Sequence, residues 1–188
     1  MMGKKPVLAL CVGIIIGVGA SYAPTLWNGA GMLNQPYADQ QGRTISSLSA
    51  DDVVQLRKGA GWGLAKPAEF NGFPGPAHVL ELADKIDLEP GQRQAVQASF
   101  DAMQARAKDL GEKLIAAEMA LDEGFKGGEM TGDVLRAALE SAEAARAELR
   151  LVHLAAHLEV TPLLSEMQKK LYAELRGYGS GHSGHSGH

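Results

Sequence analysis

The spacing of the histidines is the feature of this sequence that most clearly indicates a chemical function. His153 and His157 stand four residues apart, a spacing that puts two imidazoles on one side of a helix. Three further histidines recur at every third position of a Gly/Ser-rich C-terminus: His182, His185 and His188. Neutral imidazole nitrogens are good ligands for copper, nickel, cobalt and zinc. The spacing therefore predicts transition-metal binding both on the helix and in the tail.

Two long apolar stripes indicate the helices that must position these residues. Apolar residues recur at alternating spacings of four and three after Pro90 and again after Thr131, with Gly127 and Gly128 between the two stretches. The pattern predicts an antiparallel helical hairpin. A shorter helix is expected from Pro76 up to Leu88, and a last one after a break at Thr161 and Pro162, where Ser165 and Gln168 form a capping-box pattern. The expected fold class is all-α.

Antiparallel pairing brings distant side chains to one level of this bundle. A turn near residue 128 places His153 opposite Met103, and a turn near residue 89 places His78 at the same height. We therefore expect His78, His153 and His157 to form one metal site, with Asp101 or Met103 as a further ligand. Solvated or hydrogen-bonded histidines without a metal are the alternative.

The N-terminal residues predict export. Residues 6–27 carry no charged side chain and follow Lys4 and Lys5, so the segment is long enough to cross a bilayer with the N-terminus in the cytoplasm. We expect an uncleaved anchor, and a signal peptide cleaved after Ala20 is the alternative. Both place the following domain in the periplasm, and the anchor ties it to the inner membrane.

Composition divides the rest of the chain. Residues 28–48 are polar and predict a flexible linker, and residues 179–188 predict a flexible His-rich tail. Within residues 49–76, Ser49 starts a short helix that ends at Gly59, and a Gly/Pro-rich segment follows whose Trp62 and two phenylalanines are expected to be buried over the core. A ligand-binding loop is the other interpretation of that segment. Residues 77–178 are the predicted metal-binding hairpin domain.

Charge and cysteine content exclude several classes of protein. The chain has a net charge of −4, and residues 49–179 carry 15 Lys and Arg against 21 Asp and Glu, so no nucleic-acid partner is expected. Cys11 is the only cysteine, which excludes a disulfide framework. No phosphate-binding loop, nucleophile elbow or zincin motif occurs, and we expect that the protein is not an enzyme.

Two short motifs carry a family resemblance. Leu88-Glu89-Pro90-Gly91-Gln92 and Leu164-Ser165-Glu166-Met167-Gln168 resemble the Leu-Thr-x-x-Gln motif of the Spy/CpxP-like periplasmic family, and the similarity covers about residues 75–178. That family includes stress chaperones, zinc-resistance-associated proteins and CnrX-like heavy-metal sensors. The resemblance implies a bent four-helix hairpin that dimerises. Its metal-sensor branch implies ligands at His78, Asp101, His153 and His157.

Two functions follow from these observations. The first is a membrane-tethered periplasmic protein that senses or buffers a transition metal, with a regulator or efflux system as its expected protein partner. The alternative is a Spy-like chaperone that binds unfolded clients on its concave face. A coiled-coil scaffold with incidental histidines is a lesser alternative.

Overall fold

The computed structural model describes Tyr37 and residues 39–178, which are mostly helical and contain no β-strand. The all-α prediction is confirmed. The predicted membrane segment at residues 6–27 and the tail at residues 179–188 lie outside the described residues, and within those residues no helix has the length and apolarity to cross a membrane. The helices are α1 (Ala50–Lys58), α2 (Lys66–Glu69), α3 (Pro76–Glu81), α4 (Pro90–Gly127), α5 (Gly132–Val160) and α6 (Glu166–Leu175), with a 3-10 turn at Thr161–Leu163.

Side-chain caps start the helices where the sequence indicates. Ser49 Oγ accepts the Asp52 amide at 3.1 Å, and Thr131 accepts an amide at the start of α5. At α6, Ser165 Oγ accepts the Gln168 amide at 3.2 Å while the Gln168 side chain accepts the Ser165 amide at 2.9 Å. These bonds satisfy amides that the first helical turn leaves without partners. The predicted helix starts at Ser49 and Ser165 are therefore confirmed, and Thr131 caps α5 in the same way.

α4 and α5 pair in antiparallel fashion along most of their length. Near the turn, Arg146 donates to Glu118 at 2.8 Å, and near the opposite end Ser99 donates to Glu159 at 3.0 Å. Glu118 on α4 is thus paired with a cation from α5. A hydrophobic cluster fills the space between α4, α5 and α1, centred on fully buried Leu114 and Leu149.

A second hydrophobic cluster joins α3 and α6 to the start of α4 and the end of α5. Here the two motifs meet, because Gln92 and Gln168 exchange side-chain hydrogen bonds at 2.9 and 2.8 Å. Gln92 also donates to the Leu163 carbonyl at 2.7 Å, while Leu88 and Leu164 are buried in the cluster. Each glutamine thus ties the start of its own helix to the other motif. The bent four-helix arrangement remains a prediction.

α3 is shorter than the sequence predicts. It ends at Glu81, and residues 82–88 form turns in which Ile86 donates to the Leu82 carbonyl and Leu88 donates to the Ala83 carbonyl. Asp87 adopts a positive φ of 49°, which an α-helix does not permit. Leu82, Ala83 and Ile86 stand at helical spacing in the sequence and are buried, but they lie in turns and not on a helix face.

The predicted linker does not extend to Leu48. Ile45 and Leu48 are 4% and 2% exposed and belong to the first hydrophobic cluster. Ser46 donates to Asp122 on α4, and Ser47 donates to Glu118 at 2.8 Å. Two apolar residues three apart are too few to give a readable period, although they are enough to anchor the segment against α4.

The wrapping segment, residues 59–76, packs over the hairpin, and none of its three aromatic side chains is fully buried. Trp62 is half-buried, donates from its indole to Asp52 at 2.7 Å and lies beneath the Arg146 guanidinium. Phe70 and Phe73, which were expected to be buried, are 61% and 37% exposed. Pro74 and Pro76 take the buried positions instead.

A candidate binding cavity lined by three histidines

A cavity of about 630 Å³ lies between the wrapping segment and the faces of α4 and α5, with the C-terminal end of α6 closing one side. Its volume is typical of small-molecule sites. Aromatic and apolar side chains contribute much of the wall, and the charged and titratable side chains of the lining are the three histidines, Glu69, Arg176, Lys58, Lys66 and Tyr178. His78 comes from α3, and His153 and His157 come from α5, so the predicted convergence of three histidines on one region is observed.

His157 is held in one orientation by the wrapping segment. Its Nδ1 lies 2.6 Å from the Phe73 carbonyl oxygen, and because a carbonyl only accepts, Nδ1 carries a proton and donates it. A Cβ on Gly75 would lie 2.6 Å from both Nε2 and Cε1 of this ring. Only glycine at position 75 therefore allows the ring to sit where it does.

His153 is the most deeply buried histidine that the structure describes, at 3% exposed. Burial, reinforced by the charge of His157, lowers its pKa below the usual 6.5 in spite of a hydrogen bond with the Ala60 backbone. The ring is therefore neutral at pH 7. Its Nε2 is buried and has no hydrogen-bond partner. A neutral imidazole with one nitrogen tied to the backbone and the other unpaired is the state in which histidine binds metals.

Glu69 is the charged centre of the cavity, and the sequence analysis did not identify it. The carboxylate is 8% exposed and sits at the end of short helix α2. Its Oε1 accepts from the hydroxyls of Tyr172 and Tyr178 and lies 3.3 Å from both His78 Nδ1 and Arg176 Nε. Its Oε2 has no hydrogen-bond partner, and His157 Nδ1 is 3.8 Å away.

The surroundings of Glu69 keep it ionised. Burial acts to raise the pKa of Glu69, but hydrogen bonds from His78 and Tyr172 and the positive charge of His78 and His157 outweigh it and lower the pKa to about 2. The same contact, added to burial, raises the pKa of Tyr172 above that of an ordinary tyrosine. The carboxylate is thus a permanent negative charge facing a mostly apolar cavity.

The structure separates the predicted ligands into two sets. Met103 lines the cavity with the three histidines and is 8% exposed. Asp101 does not, because its position on α4 leaves it exposed, where it accepts from Gln97 at 2.8 Å. Glu69 is the carboxylate that lies near the histidines instead. His182, His185 and His188 lie outside the described residues.

No complete metal cluster is assembled. Among residues 39–178, no three His, Cys, Asp or Glu side chains are grouped closely enough to hold a metal ion. What the cavity offers is a pair of histidines one helical turn apart, with the Met103 thioether from the facing helix. His78 is turned toward Glu69. The cavity lining therefore includes two imidazoles and one thioether as potential donors.

The sequence contained no signal that pointed to Glu69. Glu69 belongs to a Gly/Pro-rich stretch without helical or strand periodicity, so its position relative to the histidines does not follow from the sequence. The one available hint was the alternative of a ligand-binding loop in the same segment. Comparison with known proteins adds no further residue, because no family model, no curated protein and no solved structure matches this chain.

Proposed function

We propose that the chain is a periplasmic metal-binding protein of the Spy/CpxP-like kind, tethered to the inner membrane by residues 6–27, that senses or buffers a transition metal. The observation that carries the proposal is the unpartnered, buried Nε2 of His153, in a cavity shared with His157 and Met103. An unpaired buried polar atom costs about 1–3 kcal/mol, and a bound metal ion would remove that cost. The pairing of Gln92 with Gln168 supports the family resemblance by giving both motifs one structural role.

The donor set favours copper in its reduced form. Thioether sulfur is a soft ligand that selects Cu(I), whereas nickel, cobalt and zinc prefer nitrogen and oxygen donors. Both histidines have their other contact with backbone, His157 to Phe73 and His153 to Ala60, which fixes the rings as a metal site requires. We therefore assign His153, His157 and Met103 as ligands, and leave His78 paired with Glu69.

The test is Cu(I) titration of the full chain in which His182, His185 and His188 are replaced by alanine, so that the tail cannot contribute. Binding to the folded state alone raises stability by about 2.7 kcal/mol at one hundred times Kd. His153→Ala and Met103→Leu should remove most of this thermal shift, and His78→Ala is the matched histidine control that should retain it. An unchanged shift in His153→Ala would overturn the assignment. Because histidine must be deprotonated to bind, the shift should also fade below about pH 6.

The chaperone alternative is supported by exposed apolar residues on α5. Leu151 and Leu158 stand one heptad apart and are 56% and 61% exposed. Such a row would contact apolar segments of unfolded clients, or the second copy of a homodimer. If this function holds, the full chain should suppress aggregation of an unfolded protein without metal, Leu151→Lys with Leu158→Lys should abolish the effect, and His153→Ala should not. No suppression at several-fold excess would remove the alternative.

A further inference from the structure

Unpaired polar atoms are concentrated at this one cavity. Among the described residues, three buried side-chain atoms lack a hydrogen-bond partner: Glu69 Oε2, Arg176 Nε and His153 Nε2. All three side chains line the cavity. A metal ion on His153 would leave the other two atoms without partners. The remaining pair therefore needs a separate explanation.

Glu69 and Arg176 present complementary charges within a few ångströms of each other. Glu69 Oε2 is an ionised acceptor that needs a donor, and Arg176 Nε is a donor that needs an acceptor. Arg176 Nε is at ion-pair distance from Glu69 Oε1, 3.3 Å, yet it is not aligned to donate to it. A ligand with a positive donor and a negative acceptor on neighbouring atoms would satisfy both.

The cavity also carries more positive than negative charge. Lys58, Lys66 and Arg176 line it, and Glu69 is the single acidic residue of the lining. This surplus contrasts with the net charge of −4 of the chain. The lysines of the lining would therefore offset part of the repulsion between a ligand carboxylate and Glu69.

Aromatic side chains supply the apolar part of the site. Trp62 and Phe100 line the wall, and Phe70 packs edge-on against Tyr178 with ring centroids 5.6 Å apart. Phe70 is 61% exposed, an unusual position for a phenylalanine that a covering ligand would bury. The volume of about 630 Å³ accommodates a side chain as large as an indole.

We propose that the cavity binds a small zwitterion, an α-amino acid with an aromatic or large apolar side chain. Its ammonium group donates to Glu69 Oε2, its carboxylate accepts from Arg176 Nε, and its side chain packs against Trp62 and Phe70. The proposal goes beyond the metal function and uses different atoms of the same cavity.

The primary test needs no variant. Binding of L-phenylalanine to the full chain is measured by titration calorimetry in a metal chelator and compared with 3-phenylpropionate, which lacks the ammonium group, and phenethylamine, which lacks the carboxylate. L-Phenylalanine should bind at least tenfold more tightly than either analogue. Equal or tighter binding of one analogue, or no binding of L-phenylalanine, would overturn the proposal.

Variants then assign the atoms. Glu69→Gln keeps an acceptor for Tyr172 but removes the charge, so it should weaken L-phenylalanine at least tenfold and leave 3-phenylpropionate unchanged or improved. Glu112→Gln, which removes an exposed carboxylate from α4, is the matched control and should bind as the unaltered chain does. Because the titrations are run in a metal chelator, a failure of the copper assignment would leave them unchanged, so the two failures are distinguishable. Equal weakening of both probes by Glu69→Gln would count against the ammonium contact.

Discussion

Two carboxylates are almost equally buried in this protein, and their surroundings could hardly differ more. Glu118, 6% exposed within the hairpin, accepts from Arg146 on one oxygen and from Ser47 on the other. Glu69, 8% exposed at the cavity, has four groups gathered about Oε1 and no hydrogen bond at Oε2. A buried carboxylate with partners on both oxygens has no free acceptor, whereas a buried carboxylate with one unpaired oxygen can still accept a hydrogen bond from a ligand. We call the region of α1, α4 and α5 around Glu118 the hairpin half, and the region around Glu69, where we place ligand binding, the cavity half.

Removing the partner of Glu118 should give the largest effect. Arg146→Leu leaves a buried carboxylate with one serine contact and should lower the free energy of unfolding by about 3 kcal/mol, the low end of the range for a broken buried pair because Arg146 is itself a third exposed. Urea denaturation of the full chain measures it. Adding Glu118→Leu should restore much of the loss, since no charge is then left unpaired. A loss below about 1 kcal/mol in the single variant would show that Glu118 is less dependent on Arg146 than its burial implies.

An added side-chain carbon where α1 packs against α4 should also destabilise the hairpin half. A Cβ on Gly111 would meet the Leu56 backbone oxygen, so Gly111→Ala must move α1 and should cost about 2 kcal/mol. Gly91→Ala is the control, because that glycine also lies in α4 and has no neighbouring atom within 4 Å of the added carbon. The control should be neutral or slightly stabilising in the same denaturation experiment. Equal stability of both variants would mean that α1 shifts without cost.

The cavity half should respond to acid through Glu69. The pKa of Glu69 is about 2 in the folded protein against 4.5 for an ordinary glutamate, so its contribution to stability is present above pH 4.5 and is lost as the pH falls toward 2. Between pH 5 and pH 3 we expect a loss of about 1–2 kcal/mol, from about 1.4 kcal/mol per pH unit with a discount for screening at half-exposed His78. Denaturant unfolding across that range should show a flatter profile in Glu69→Gln. A profile identical to that of the unaltered chain would contradict the prediction.

Gly75→Ala should have the smallest effect on stability of these variants, and it should clearly weaken Cu(I) binding. Gly75→Ala places a carbon against the His157 ring, which must move and lose its hydrogen bond to Phe73, so the cost in stability should be about 1 kcal/mol. If His157 is a copper ligand, displacing its ring should lower Cu(I) affinity at least tenfold. Competition with a Cu(I) chelator measures this in the tail-substituted chain. Unchanged affinity would remove His157 from the ligand set.

The two halves also differed in how well the sequence predicted them. The helix starts at Ser49 and Ser165 follow from capping patterns. The hairpin that brings His153 and Met103 to one cavity follows from regular helical periodicity. Glu69 and the exposed ring of Phe70 lie where the chain has no period, so their positions depend on how the wrapping segment packs. The early end of α3 has a similar cause, because apolar residues at helical spacing can also be buried by turns.

Trp62 gives the cavity an optical property. Its indole donates to Asp52, lies 5.3 Å beneath the Arg146 guanidinium and forms part of the cavity wall. Trp27 is the other tryptophan of the chain, so Trp27→Phe would leave Trp62 as a single emitter. Indole emission shifts with the polarity around the ring. An organic ligand that covers Trp62 should therefore shift the emission spectrum, and the shift reports occupancy of the cavity without a label.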